Sequence, residues 1–511
     1  ATTVLPSYLL NTVILVLGVS GLVLSIGVST AWLVSMYDFP GRRLFSWTLF
    51  LPLAMPAYII AYTYTGMFDF AGPVQSFLRA TFEWNRNDYW FPQMRSVGGA
   101  VLMLGLVLYP YVFLVSRAAF TEQSVAALEV GRTLGRSPLR IFWEIALPLA
   151  RPAIVAGLAL ALMETLSDFG TVQYFAVDTF TTGIYRTWLG LGEPAAAAQL
   201  AALLMIFVFS LLALERYNRG RRKYHHTGGR YQEIRRAKIK GFKALIASVA
   251  CFMPIFLGFL LPVGWILNKS LIYPEAVFNT EFPVLLLNSI GVAVTASVAA
   301  LLIAMFLIYA KHQARGDGRF GLRRFSVRVA AMGYAIPGPV LAVGVLIPFG
   351  FMDNSIDAFM RSHFNISTGL ILSGTLFALM FAYVVRFLAV ALGTVEASVE
   401  KVTPSMERAA TTMGVVGFAQ LRRVHIPIIS GSMMTALLLV FVDVLKELPA
   451  TLIMRPFGFE TLAVRAYELA SDERLAEAAG PSIAIVMAGI IPVVILSRAI
   501  SKSRPGQKNQ V

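Results

Sequence analysis

The chain has 511 residues, of which 57% are hydrophobic and only 14% are charged, and its formal net charge is +15. Soluble domains carry about 25% charged residues, so this composition excludes an ordinary soluble protein. The basic excess does not indicate nucleic-acid binding, because it gathers at the ends of apolar runs and not in a soluble basic domain. The single cysteine, Cys251, excludes an internal disulfide and a multi-cysteine metal cluster.

Long apolar runs recur along the whole chain, and about 20 such residues cross the hydrocarbon core as a helix. The runs do not alternate as barrel strands do, so they predict a helical bundle, that is, an all-α polytopic membrane protein. In chain order they lie near residues 8–36, 47–69, 96–119, 147–175, 195–217, 244–268, 284–310, 327–352, 367–392, 428–454 and 480–500. The sequence therefore predicts about 11 spans.

The charge of the connecting segments predicts the orientation of these spans. Arg216–Lys243 holds eleven Lys or Arg against one Glu, and Lys311–Arg328 holds six against one Asp. By the positive-inside rule these segments lie in the cytoplasm, as does the basic C-terminal tail. The aromatic segment 70–95 then lies outside, and so does Ala1.

The two halves of the chain repeat one another. At an offset of 279 residues the aligned pairs are Gly135 and Gly414, Pro148 and Pro427, Asp168 and Glu447, Phe180 and Phe459, Thr182 and Thr461, and Arg186 and Arg465. Both copies have the same orientation, which predicts two parallel-repeat helical lobes. We assign the first lobe to residues 1–217, a basic cytoplasmic linker to 218–243 and the second lobe to 244–511. Because span 244–268 has no counterpart in the first half, we expect the first lobe to lack its first helix.

Each half carries a short polar stretch on the predicted cytoplasmic side, and each stretch ends in a glycine thirteen residues before a proline that starts the next span. Small side chains on such a stretch let another protein approach closely, and a glycine ends a helix with positive φ. Each stretch therefore offers a surface that another protein can approach closely. The positions that mark the stretches are Glu129, Gly131, Gly135 and Pro148 in the first copy, and Glu407, Arg408, Gly414 and Pro427 in the second.

This spacing resembles the EAA loop of binding-protein-dependent ABC importer permeases, and the resemblance covers nearly the whole chain. It implies the type I importer fold, in which the loop of each lobe forms a coupling helix that sits in a groove of the ATPase subunit. Gly131 stands where that family usually has alanine, and Arg408 stands where it has an acid. The chain has no G-x-x-x-x-G-K-[ST] phosphate-binding loop. We therefore expect it not to be an enzyme and to carry no cofactor, with ATP and Mg bound by the partner.

Two acids lie near the end of the span that follows each proline: Glu164 and Asp168, then Asp443 and Glu447. Spacing by four residues predicts that each pair shares a helix face, and ionisable groups at such depth usually face partners or water. One interpretation is an acidic vestibule along the translocation path, where these acids bind a hard metal cation transiently. The other is ion pairing with Lys446, Arg455, Arg186 or Arg465. We also place Arg186 and Arg465 on the predicted path.

The sequences around these acids are similar to those of the fused, two-lobed ferric-iron permeases. This resemblance implies iron(III) as cargo, a periplasmic binding protein on the outer face and a homodimer of ATP-binding subunits on the cytoplasmic face. It also implies a bacterial inner-membrane location, with lipid and not nucleic acid as the surroundings. Fused thiamine and phosphonate permeases share the architecture, so the fold alone does not select the cargo. An ion-coupled secondary transporter is the alternative from another class.

Overall fold

A computed structural model describes residues 4–122, 133, 135–220, 236–277, 280–313, 320–399, 402, 404–415 and 417–502. Within these ranges ten helices are long and apolar enough to cross a membrane. The number is eleven if the segments Arg42–Ala54 and Ala57–Phe82, bent by 90°, count as one span. The prediction of an all-α polytopic protein with about 11 spans is confirmed.

The chain forms two compact units. The first contains Ala1–Arg186, Gln199–Pro274 and Leu469–Ala479, and the second contains Thr187–Ala198, Glu275–Glu468 and Gly480–Val511. The lobe and linker boundaries at 217 and 244 stay a prediction.

The N-terminal half contains long helices in its apolar runs and several short helices between them. They are α1 (Leu5–Met36), α2 (Arg42–Thr48), α3 (Ala57–Phe68), α4 (Pro73–Phe82), α5 (Val97–Glu122), α6 (Pro138–Ile141), α7 (Leu147–Ser167), α8 (Gly170–Tyr174), α9 (Phe180–Tyr185) and α10 (Pro194–Gly220). A two-residue strand, β1 (Tyr37–Asp38), pairs in parallel with β2 (Ala237–Lys238).

The C-terminal half continues in the same way. Its helices are α11 (Phe242–Ile255), α12 (Leu261–Ile272), α13 (Pro274–Val277), α14 (Phe282–Gln313), α15 (Phe320–Ala330), α16 (Gly338–Phe364), α17 (Leu376–Val399), α18 (Pro404–Thr412), α19 (Phe418–Gln420), α20 (Ile426–Leu445), α21 (Pro449–Met454), α22 (Leu462–Ser471) and α23 (Leu475–Lys502).

Three helices of the first unit, α1, α5 and α7, pack against one another. Glycines set the close approach of α1 to α5. A Cβ built on Gly18 would lie 2.8 Å from Val101, and one on Gly105 would lie 2.2 Å from Leu22. Lipid gives helices no hydrophobic reason to associate, so close backbone approach through small residues replaces that driving force.

The second unit repeats this arrangement with α14, α17 and α20, which also pack against one another. Helices α1 and α14 are both 32 residues long. Near the start of α1, Asn11 donates to the carbonyl of Asp178 at 2.9 Å, and Asn288 of α14 donates to the carbonyl of Glu460 at 3.2 Å. In each unit an asparagine thus ties the first core helix to the loop before a short helix (α9 or α22). The internal repeat predicted from the sequence is therefore present in the folded chain.

Several predicted spans have other limits in the structure. The runs 147–175 and 428–454 were expected to be continuous, but α7 ends at Ser167 and α20 at Leu445, and each is followed by a short separate helix. The run 327–352 is also broken. Its helix α16 starts only at Gly338, directly after Pro337, and continues to Phe364. Mean hydropathy over the length of a span does not register these breaks, because the few polar residues at each break lie between long apolar stretches.

Candidate functional site

The two predicted coupling segments end in glycines with the same backbone conformation. Gly135 has φ +71° and Gly414 has φ +78°. Helix α18 ends as a glycine-capped helix does, with the Val415 N–H donating to the carbonyl of Ala410 at 2.9 Å. Glu129 and Gly131 lie outside the residues that the structure describes.

Pro148 and Pro427 occupy equivalent places in the two units. Each is the second residue of a long helix, α7 or α20. One turn of π-helix precedes each of them, Phe142–Ala146 in one unit and Leu421–His425 in the other. Proline lacks an N–H and its ring crowds the carbonyl four residues before, so a wider turn accommodates it without breaking the helix. The amphipathic segment therefore continues directly into the span in both units.

Glu407 is engaged within its own unit. Its Oε1 lies 3.3 Å from Nε2 of His425, a buried residue in the last position of the π turn before α20. Its carbonyl accepts a hydrogen bond from the side chain of Gln420 at 3.3 Å. The first contact fixes α18 to the start of α20 and the second fixes it to α19, whereas the neighbouring Arg408 is exposed. The sequence reasoning missed His425, although a lone histidine in an amphipathic segment was a visible signal.

Asp168 lies just beyond the end of α7 and caps the short helix α8. Its Oδ2 accepts from the Thr171 N–H at 3.0 Å and from the Val172 N–H at 3.3 Å, and its Oδ1 accepts from the Thr171 hydroxyl at 2.9 Å. The N-terminus of a helix has unpaired N–H groups and a partial positive charge, which an aspartate satisfies. Glu164 is half-buried one turn earlier, inside α7.

Glu447 does the same at the equivalent place in the second unit. Its carboxylate accepts from the Ala450 N–H at 3.0 Å and from the N–H and hydroxyl of Thr451 at 3.0 Å and 2.7 Å. It therefore caps α21 as Asp168 caps α8. The long helix ends one residue before Asp168 and two residues before Glu447, so the two acids of a pair do not lie on one continuous helix as the spacing predicted.

Glu447 also forms a buried ion pair with Arg386 of α17. Arg386 Nη1 lies 3.1 Å from Glu447 Oε1, and the two side chains are only 7% and 2% exposed. Gly338 leaves the space for this pair, because a Cβ there would lie 2.4 Å from Arg386 Nη1 and 3.0 Å from Glu447 Oε1. Arg386 was not among the expected partners, although a single arginine in an apolar run was a signal of function or pairing. Val107 stands at the aligned position of the first half, so no arginine occurs there.

The remaining predicted residues are also paired. Asp443 lies 2.9 Å from Lys446, as one of the expected ion pairs proposed. Arg186 pairs with Asp178 at 2.9 Å. Arg465 pairs with Glu281 at 2.9 Å and lies 3.8 Å from Glu460, and Arg455 pairs with Glu468.

Within the described ranges, no group of three or more His, Cys, Asp or Glu residues is placed to hold a metal ion. The assignment of Glu164, Asp168, Asp443 and Glu447 to transient metal binding therefore stays a prediction about passing cargo and does not describe a resident metal centre.

Two like-built units of membrane-spanning helices, each with a glycine-ended segment before a proline-started span, define a two-lobed permease. A family model for the inner membrane component of binding-protein-dependent transport systems matches residues 23–222. The chain is 30% identical over 199 residues to the molybdenum transport system permease protein ModB of Escherichia coli (strain K12), covering 38% of this chain and 84% of that relative.

Two other relatives match almost the whole chain. One is the Fe(3+)-transport system permease protein FbpB 2 of Haemophilus influenzae, 25% identical over 493 residues, which are 96% of this chain and 89% of the relative. The other is the probable ABC transporter permease protein y4fN of Sinorhizobium fredii, 22% identical over 98% of this chain and 89% of the relative.

The chain belongs to the family of binding-protein-dependent transport system inner membrane components. It is an ABC importer permease and a multi-pass protein of the bacterial inner membrane. The resemblance drawn from its glycine–proline spacing is thereby confirmed. ModB matches 38% of the chain, which is less than one half, whereas FbpB 2 matches both halves, as expected for two fused lobes.

Proposed function

We propose that this permease imports iron(III), which a periplasmic binding protein delivers to its outer face. The observation that carries this proposal is the similarity to a permease named for Fe(3+) transport along 96% of the chain. Shorter similarities to molybdenum and sulfate permeases cover only 37–38% of the chain, so they support the importer class more than the cargo.

A separate subunit supplies the energy in this proposal, because the sequence has no phosphate-binding loop. Two such ATPase subunits, each holding ATP and Mg, receive the segments that end at Gly135 and Gly414. The left-handed conformation of both glycines supports this role, since it lets a short helix end sharply beside a partner. Closure of the ATPases then moves the two segments and rocks the lobes between outward and inward access.

Along the path, the acids attract and release a hard cation and are not a permanent metal site. Glu164 and Asp443 are half-buried within their long helices, while Asp168 and Glu447 already serve as helix caps. The ion pairs of Arg186 and Arg465 lie beside the short helices α9 and α22. When these acids and arginines exchange ion-pair partners during transport, the energetic cost of moving a trivalent ion through the membrane falls.

Uptake of radioactive iron(III) into proteoliposomes tests this function. The vesicles contain the full chain with its ATPase, and the loaded binding protein is added outside. We expect iron accumulation that requires both ATP and the binding protein. A binding protein that carries thiamine or a phosphonate would redirect the cargo assignment, and uptake driven by an ion gradient without any ATPase would favour a secondary transporter.

Proline substitutions test the coupling segments. Gly135→Pro and Gly414→Pro force φ to about −65° where the chain needs a positive value. We expect both variants to insert normally but to lose co-purification with the ATPase. Gly458→Pro is the matched control, because Gly458 has φ +75° outside the coupling segments. Unchanged ATPase association in both test variants would contradict the proposed role.

A further inference from the structure

The first unit contains a large open cavity that transport of a metal ion does not explain. Its volume is about 800 Å³, and it is lined by residues between Thr65 and Ser96, where α3 ends, α4 crosses and α5 begins. Small-molecule sites typically enclose about 300–1,000 Å³. The charge distribution predicts that this segment lies outside the membrane on the periplasmic side.

Hydrogen bonds hold the floor of this cavity in place. The buried Gln75 side chain donates to the carbonyl of Phe68 at 2.8 Å and accepts from the Tyr89 hydroxyl at 2.6 Å. Arg79 donates to Tyr89 Oη at 3.1 Å and to the carbonyl of Phe70 at 2.8 Å. Because these side chains already form hydrogen bonds within the protein, they shape the cavity, and a ligand must bind to other groups. A preformed site costs little conformational entropy on binding.

Aromatic rings form the walls. Phe68 and Phe91 stack with their centroids 6.1 Å apart and an angle of 26° between the ring planes. Phe70 and Trp90 also line the cavity, and Trp90 is 85% exposed. Tyr64 stacks on Phe68 as well, with the centroids 5.6 Å apart and 6° between the planes, so Phe91 is the ring of this stack that is left for a ligand. A flat ring favours a planar apolar group, which stacks on it with an offset.

One arginine at the cavity, Arg86, has no carboxylate partner among the described residues. Arg95 is paired with Glu473 at 3.2 Å; burial lowers the pKa of its guanidinium, but Tyr174 and Glu473 raise it overall. Arg86, in contrast, is exposed and lies over the Phe70 ring at 5.3 Å, with no carboxylate at salt-bridge distance in the part of the chain that the structure describes. Such a guanidinium matches the two oxygens of a carboxylate.

We propose that this cavity binds a planar aromatic carboxylate, with its carboxylate on Arg86 and its ring against Phe91. The site goes beyond the import of a metal ion, because a guanidinium beside aromatic rings suits an organic anion. Neutral aromatic compounds lack the partner for Arg86, and non-planar acids lack the stacking surface, so both are expected to bind more weakly.

Equilibrium dialysis with radioactive salicylate tests this site on the purified full chain without metal or ATP. We expect saturable binding of one salicylate per chain at millimolar concentrations. Arg86→Gln is expected to weaken binding by about tenfold or more, since it removes a charged, two-point hydrogen bond. Arg86→Lys keeps the positive charge but cannot form two parallel hydrogen bonds to the carboxylate, so its affinity should lie between those of the unaltered chain and Arg86→Gln. Arg43→Gln, an exposed arginine on α2, is the control and should bind as the unaltered chain does.

Two further measurements keep the proposal open to refutation. Phe91→Leu should weaken salicylate more than it weakens cyclohexanecarboxylate, because only the planar ring loses stacking. Absence of saturable binding to the unaltered chain, or equal binding by Arg86→Gln, would overturn the proposal. Because no iron is present, neither result depends on the outcome of the iron-uptake experiment.

Discussion

Replacement of Arg386 by methionine removes the charge that neutralises Glu447 and keeps a side chain of similar length. In the folded chain both side chains are nearly inaccessible, with Nη1 of Arg386 3.1 Å from Oε1 of Glu447. The variant leaves a buried carboxylate whose partners among the described residues are the N–H groups of Ala450 and Thr451 and the Thr451 hydroxyl.

Removing one partner of a buried ion pair costs about 3–5 kcal/mol, because the other charge stays buried and uncompensated. For a unit of this size, 1 kcal/mol corresponds to about 2–4 °C in melting temperature. We therefore expect the apparent melting temperature of Arg386→Met to fall by about 6 °C or more. The double variant Arg386→Met with Glu447→Gln should recover part of the loss, since it removes both charges.

Tryptophan fluorescence during heating in detergent measures this change. Lys446→Met is the matched control, because the side chains of the Lys446–Asp443 pair are 27% and 18% exposed and its loss should therefore cost less. If Arg386→Met melts as the unaltered chain does, or if the double variant is less stable than both single variants, the buried pair does not stabilise the fold as we infer.

Two other predictions concern α16 and the coupling segment. Gly338→Ala places a Cβ 2.4 Å from Arg386 Nη1 and should lower the melting temperature. Gly344→Ala in the same helix is the control, because its Cβ meets nothing within 4 Å, and it should keep or raise the melting temperature. Equal melting temperatures of the two variants would show that the close approach at Gly338 is not needed. His425→Ala removes the contact with Glu407, which is worth about 0.5–1.5 kcal/mol. The number of substrate molecules transported per ATP should therefore fall by roughly twofold to tenfold. Arg423→Ala is the control, because Arg423 is exposed. An unchanged ratio in His425→Ala would mean that α18 does not depend on this contact.

Much of the architecture followed from local sequence patterns. Apolar runs of about 20 residues predicted the spans, because a helix in lipid must satisfy its backbone internally. The repeat predicted that Gly135 and Gly414 would share a conformation, and both have positive φ. The breaks after Ser167 and Leu445 were missed, because they depend on carboxylates that cap a new helix and not on a loss of hydropathy.

The roles of individual charged side chains became clear only from the folded structure. The sequence by itself determined that the chain spans the membrane in two like-oriented halves with a glycine–proline segment in each, since these features depend on spacing along the chain. Only the tertiary structure decided that Glu447 pairs with Arg386, 61 residues away, and that Glu407 contacts His425. Charge pairing depends on distances between helices that pack together, and these distances are set by small residues such as Gly338, whose importance no local pattern reveals.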